Sequence, residues 1–155
     1  MSESPEGMNT VTPHLVVKDA RAALALYEKS LGAEVLHVLE MPGTGKIMHA
    51  GFKIGDSTLF ISDEIPGMPR EAPTDTTASV SFYVHVSDVD DAFRTAQLGG
   101  LLAVSEPEDM FWGDRTAVLN DQFGHNWTLA TQIRVVSPEE MQAAVNTMMP
   151  VDEPA

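Results

Sequence analysis

The chain has no cysteine. That excludes disulfides, thiolate catalysis, thiol redox chemistry and any cysteine-based zinc site. Secreted chains of this size often depend on disulfides, so a cytoplasmic location is the simplest reading. Positive charge is scarce too: 9 Lys and Arg stand against 23 Asp and Glu, a formal net charge of −14. Nucleic acid is an unsuitable partner for such a surface, because phosphate contacts need a basic face. An anionic membrane surface is disfavoured for the same reason. No apolar run approaches the ~18 residues that cross a bilayer, and the first residues lack the basic start and apolar stretch of a secretory signal. Also missing are a phosphate-cradling glycine loop and a defensible Ser-His-Asp set. An acidic shell suits a cationic ligand, or simply keeps the protein soluble.

What is present is a repeat. Thr10-Val-Thr-Pro-His-Leu-Val-Val-Lys-Asp19 is matched by Ser79-Val-Ser-Phe-Tyr-Val-His-Val-Ser-Asp88, 69 residues later. Each segment is β-rich and ends on an Asp suited to cap a helix. A helical stripe follows in both copies, through Ala20, Ala23, Leu24, Tyr27 and Leu31, and through Val89, Ala92, Phe93 and Ala96. Glycine then stops each helix, at Gly32 and at Gly99-Gly100. Strands are expected over Glu34–Glu40, Lys46–Ile54 and Ser57–Ser62, and again over Leu101–Ser105, Arg115–Leu119 and Asn126–Thr131. The pattern predicts one α+β domain over residues 10–141. It has two βαβββ modules (10–62 and 79–131), a linker over 63–78 and a last helix from Ser137, where Glu140 would complete a capping box. Residues 1–9 and 142–155 read as loose ends, the second including the end of that helix.

Several strings resemble one family. Thr12-Pro-His-Leu15, Lys46-Ile-Met-His49, Phe111-Trp-Gly-Asp-Arg115, Phe123-Gly-His-Asn-Trp127 and Ser137-Pro-Glu-Glu-Met141, together with the repeat, are similar to the vicinal oxygen chelate superfamily, in particular its PhnB-like group. That superfamily includes glyoxalase I, bleomycin-resistance proteins and extradiol dioxygenases. The resemblance implies paired modules forming a U-shaped open barrel, usually in a homodimer. Its enzymes hold a divalent metal through side chains on the first and last strand of each module. By the resemblance those positions are Thr12, Phe60, Ser81 and Thr128, none a usual ligand for zinc, nickel or iron. No cofactor is therefore expected.

Strand parity adds His14, Tyr83 and His85 to the faces of Thr12 and Ser81. His49 joins them if the turn at Gly55-Asp56 is two residues long. A displaced metal site using His14, His49 or His85 is the alternative to single hydrogen-bonded histidines in a polar cavity. His37 reads as a surface residue. Phe111 and Trp112 could wall a pocket, and Arg115 could pair with Asp114 or meet a polar ligand. The expected function is reversible capture of a small planar or cationic organic molecule in a cup between the modules. A metal-dependent lyase, isomerase or dioxygenase is the second reading, and a structural dimer with a vestigial pocket the third.

Overall fold

The computed structural model describes residues 4–74 and 78–149, so parts of the expected tails and linker lie outside the described residues. The first half contains β1 (His14–Val17), α1 (Ala20–Leu31), β2 (Glu34–Glu40), β3 (Ile47–Ile54) and β4 (Ser57–Asp63). The second half repeats this order as β5 (Ser81–His85), α2 (Val89–Gly99), β6 (Leu102–Asp109), β7 (Asp114–Asn120) and β8 (Asn126–Gln132). A last helix, α3 (Pro138–Met148), follows. The strand orders are β1-β4-β3-β2 and β5-β8-β7-β6. In each sheet the first strand runs parallel to the last, and the other pairs are antiparallel. The fold is α+β, with two βαβββ modules.

Local chemistry explains the repeat. Asp19 accepts from the Ala22 amide at 3.1 Å, and Asp88 from the Asp91 amide at 3.1 Å, so each helix start is capped alike. Gly32 and Gly100 end the helices with φ of 67° and 118°, a backbone shape that favours glycine. Three local details differ from expectation. β1 starts at His14, because Pro13 has no N–H for the ladder, although its carbonyl still accepts from the Phe60 amide at 2.8 Å. β6 extends beyond Ser105 to Asp109, irregularly, with shifts of register around Ser105. At α3, Ser137 accepts from the Glu140 amide at 3.2 Å, but the Glu140 carboxylate turns to Arg134 at 3.6 Å.

α1 and α2 lie between the two sheets. One continuous core takes Leu15, Phe52 and Ile61 from the first sheet and Leu119, Trp127 and Leu129 from the second. Tyr27 of α1 joins them: its ring stacks on Phe52 at 5.7 Å and meets Trp127 edge-on at 5.2 Å. Buried Asp121 fixes this joint. It accepts from the Tyr27 hydroxyl (2.6 Å), the Trp127 indole (2.9 Å) and the amides of Phe123 (2.8 Å) and His125 (3.0 Å). Burial, then the neighbouring Asp121, pushes the Tyr27 phenol far up, so it stays a donor. The helices cross at Gly99, where a Cβ would come within 2.6 Å of the Ser30 Cα.

Among the described residues, no strand of one sheet contacts a strand of the other. The helices hold the two sheets together. Each sheet therefore keeps one face away from the core, and that face is the polar one.

Candidate functional site

On the first sheet, His14, Phe60, Gly51 and His37 stand in one register row across β1, β4, β3 and β2. Residues directly opposite share a face, and His49 lies on the same face as Gly51, two places along β3. The rings cluster. His49 is 5.8 Å from His14, 4.6 Å from Phe60 and 5.2 Å from His37, on which it stacks. Gly51 makes the room, since a Cβ there would meet the His37 ring at 2.6 Å. Arg70 reaches in from the segment after β4. Its guanidinium donates to His14 Nδ1 at 3.1 Å, and His14 Nε2 is 3.0 Å from the Ser62 hydroxyl. An accepting Nδ1 puts the proton of neutral His14 on Nε2, which then donates to Ser62. Burial, then Arg70 and His49, lowers the His14 pKa. Burial, then His37 and Arg70, lowers that of His49. Both shifts favour the neutral imidazole.

On the second sheet, Tyr83, Thr128 and Val118 form the corresponding row, flanked by Ser81 opposite Asn126 and His85 opposite Ala130. The Tyr83 hydroxyl donates to Asp114 at 2.6 Å and accepts from the Trp112 indole at 3.1 Å. Burial, then the bond to Asp114, raises the Tyr83 pKa. Ser81 hydrogen-bonds Asn126 and lies 3.4 Å from the Thr128 hydroxyl. The His85 ring is 5.3 Å from Tyr83, and Phe111 packs edge-on against Trp112 at 4.9 Å.

The residues expected at the site thus fall into two groups. His14, His49 and Phe60 gather on one sheet, and Ser81, Tyr83, His85, Thr128 and Trp112 on the other. Thr12 precedes β1 and takes no place in its ladder. Arg115 stands apart: Asp90 of α2 grips it at 2.9 and 3.0 Å, and Asp109 holds it at 2.8 Å. These carboxylates raise its pKa, while the Arg115 bond lowers that of Asp90. Asp114 does not pair with Arg115, because adjacent strand residues point to opposite faces. His37 is exposed, as a surface residue should be, but it belongs to the histidine face. Arg70, in the irregular segment after β4, carries no signal in the sequence pattern that marks it for this face.

Phe60 cannot coordinate a cation, and Ser81 and Thr128 lie on the other sheet from it. The four positions therefore do not fit the metal that the fold would accommodate there. Among the described residues, no three His, Asp or Glu side chains are arranged to hold a metal. A cleft of about 740 Å³ opens beside β5, between the end of α1 and the β3–β4 turn. Ser81, Tyr83 and His85 line it, whereas His14, His49 and Phe60 do not. Among the described residues, this cleft belongs to the tyrosine face and does not extend to the histidine face. No described helix is long and apolar enough to cross a membrane.

The model of the Glyoxalase/Bleomycin resistance protein/Dioxygenase superfamily matches residues 7–129. The Uncharacterized protein Rv0887c of Mycobacterium tuberculosis is 37% identical over 141 residues, covering 88% of this chain and 82% of its own length. Among solved structures, TioX from a Micromonospora species superposes with a TM-score of 0.60 at 25% identity, over 80% of this chain and 98% of that one. The PhnB protein from Bacillus cereus shares the fold, with a TM-score of 0.62 at 18% identity, over 79% of this chain and 99% of that one.

Proposed function

The chain belongs to the Glyoxalase/Bleomycin resistance protein/Dioxygenase superfamily, and from that premise we propose that it binds a small organic molecule without the superfamily's usual metal. The observation that carries this reading is the content of the four ligand positions, Thr12, Phe60, Ser81 and Thr128. Around them the exposed faces offer what a binding cup needs: aromatic rings, hydroxyls and a few fixed polar groups.

The cup is completed by a second copy of the chain. The sheets of one chain turn their polar faces away from a shared helical core, so one chain presents two half-cups. Large apolar side chains are left bare on and beside these sheets, including Leu39 (56% exposed), Leu102 (59%) and Val104 (56%). On this reading the second copy covers these side chains. A two-fold pair would set the histidine face of one copy against the tyrosine face of the other, twice.

Metal analysis of protein purified without chelators, combined with sedimentation, tests both parts. The expected result is a dimer with substoichiometric transition metal. A molar equivalent of metal that disappears in His49→Phe would overturn the metal-free reading. It would favour the lyase, isomerase or dioxygenase alternative, with the ion acting to polarise a substrate oxygen. A monomer at micromolar concentration would overturn the shared cup.

A further inference from the structure

The histidine face has a charge character unlike that of the rest of the molecule. His14, His37 and His49 come from three strands, and Arg70 from the segment beyond β4. Among the described residues, no carboxylate pairs with any of these four groups. Phe60 and Ser62 complete the surface from β4. Farther along the same face Lys53 of β3 stands opposite Glu34 of β2, and these two are the other charged groups in register with it. Every influence on His14 and His49 from nearby groups comes from a cation or another imidazole. In a chain of net charge −14, this is a local basic spot, without counter-charge among the described residues.

Arg70 is parked on a neutral imidazole. Its N–H donates to His14 Nδ1, the one atom of that ring able to accept. Two donors are thereby held in reserve. A proton on Nδ1 displaces the guanidinium, and both His14 and Arg70 then point cationic N–H groups outward. His49, stacked on His37 and edge-on to Phe60, supplies a third donor when protonated. Oxyanions are recognised by such convergent charged donors.

We infer that this face binds the oxyanion group of the ligand, a carboxylate or a phosphonate, and takes up a proton as it does so. The inference rests on the reading above that the histidine face is one wall of the ligand cup, and it replaces the cationic ligand suggested by net charge. Arg70 turns from His14 to the anion, the vacated Nδ1 is protonated, and the Phe60 ring packs against the apolar part of the ligand. The anion provides the charge that the imidazoles lack at neutral pH, so binding and protonation favour each other.

Calorimetric titration of the full-length protein with phenylphosphonate and with benzoate, from pH 7.5 to 5.5, tests this. Benzamide and benzylamine serve as neutral and cationic counterparts. Affinity for benzoate, which keeps its single charge over this range, should tighten by about tenfold for each unit that the pH falls towards the imidazole range; phenylphosphonate, which itself takes up a proton near neutrality, is compared with benzoate at the lowest pH. Heats in buffers of different ionisation enthalpy should report net proton uptake. Whichever anion binds more tightly names the group. Arg70→Gln and His37→Gln change exposed side chains and should fold; Arg70→Gln should weaken the anion about tenfold or more. An affinity independent of pH, or equal in Arg70→Gln, would overturn the inference. Binding of benzamide or benzylamine with neither anion would overturn it while leaving the cup intact. Silence from all four probes would overturn it together with the binding function.

Discussion

Asp121 concentrates more hydrogen bonding than any other described side chain, and it links the two modules through Tyr27. Asp121→Ala would leave a buried hydroxyl, an indole N–H and two amides without their acceptor. A loss of about 3 kcal/mol or more is expected, read from urea unfolding followed by tryptophan fluorescence. Tyr27→Phe removes one donor and leaves the rest, so about 1 kcal/mol is expected in the same assay. The histidines make a different prediction. The folded chain holds His14 and His49 below the ordinary imidazole value of 6.5, whereas the unfolded chain takes up protons there. The unfolded state thus binds more protons as pH falls, and stability is lost from about pH 6.5 downwards until the folded imidazoles also titrate. Replacing both by Gln should flatten that part of the thermal profile between pH 7 and pH 5, measured against the parent chain.

Gly99 is where α2 lies directly on the backbone of α1. Gly99→Ala would press a methyl into the backbone of α1 at Ser30, and about 1–3 kcal/mol of destabilisation is expected from chemical denaturation. Elements were the part of the molecule most legible in the sequence. The two caps at Asp19 and Asp88, and the stops at Gly32 and Gly100, are local chemistry, so a 69-residue shift revealed them. The equivalence of Phe60 and Thr128 follows as well, because His14 and Tyr83 are repeat mates and each is paired with one of them. Other features depend on tertiary register. His37 reaches the histidine face through a shift in the β2–β3 ladder near Val35, which no residue pattern announces; Gly51, a glycine inside a strand, was the available hint. Arg70 lies in an irregular segment with no periodicity to fix its direction. Arg115 takes Asp90 rather than the neighbouring Asp114 as its partner, and Asp90 lies on α2, 25 residues earlier, where no local pattern announces it. Arg115→Ala should lower the melting temperature by freeing α2 from β7, and leave ligand affinity unchanged.

For the whole molecule, the separation of the two sheets decides most of its behaviour. If exposed Leu102 and Val104 belong to an interface, Val104→Glu should shift the protein towards monomer in sedimentation and abolish ligand binding without unfolding either module. The same separation has a genetic consequence. In the proposed pair, the histidine wall and the tyrosine wall of each cup come from different chains. A chain damaged at Arg70 and a chain damaged at Tyr83 would each fail alone. Refolded together, they would place both defects in one cup of the mixed pair and neither in the other. About a quarter of all cups would be whole after random pairing. Two defective alleles would complement each other, and the recovered fraction would count how the walls are shared.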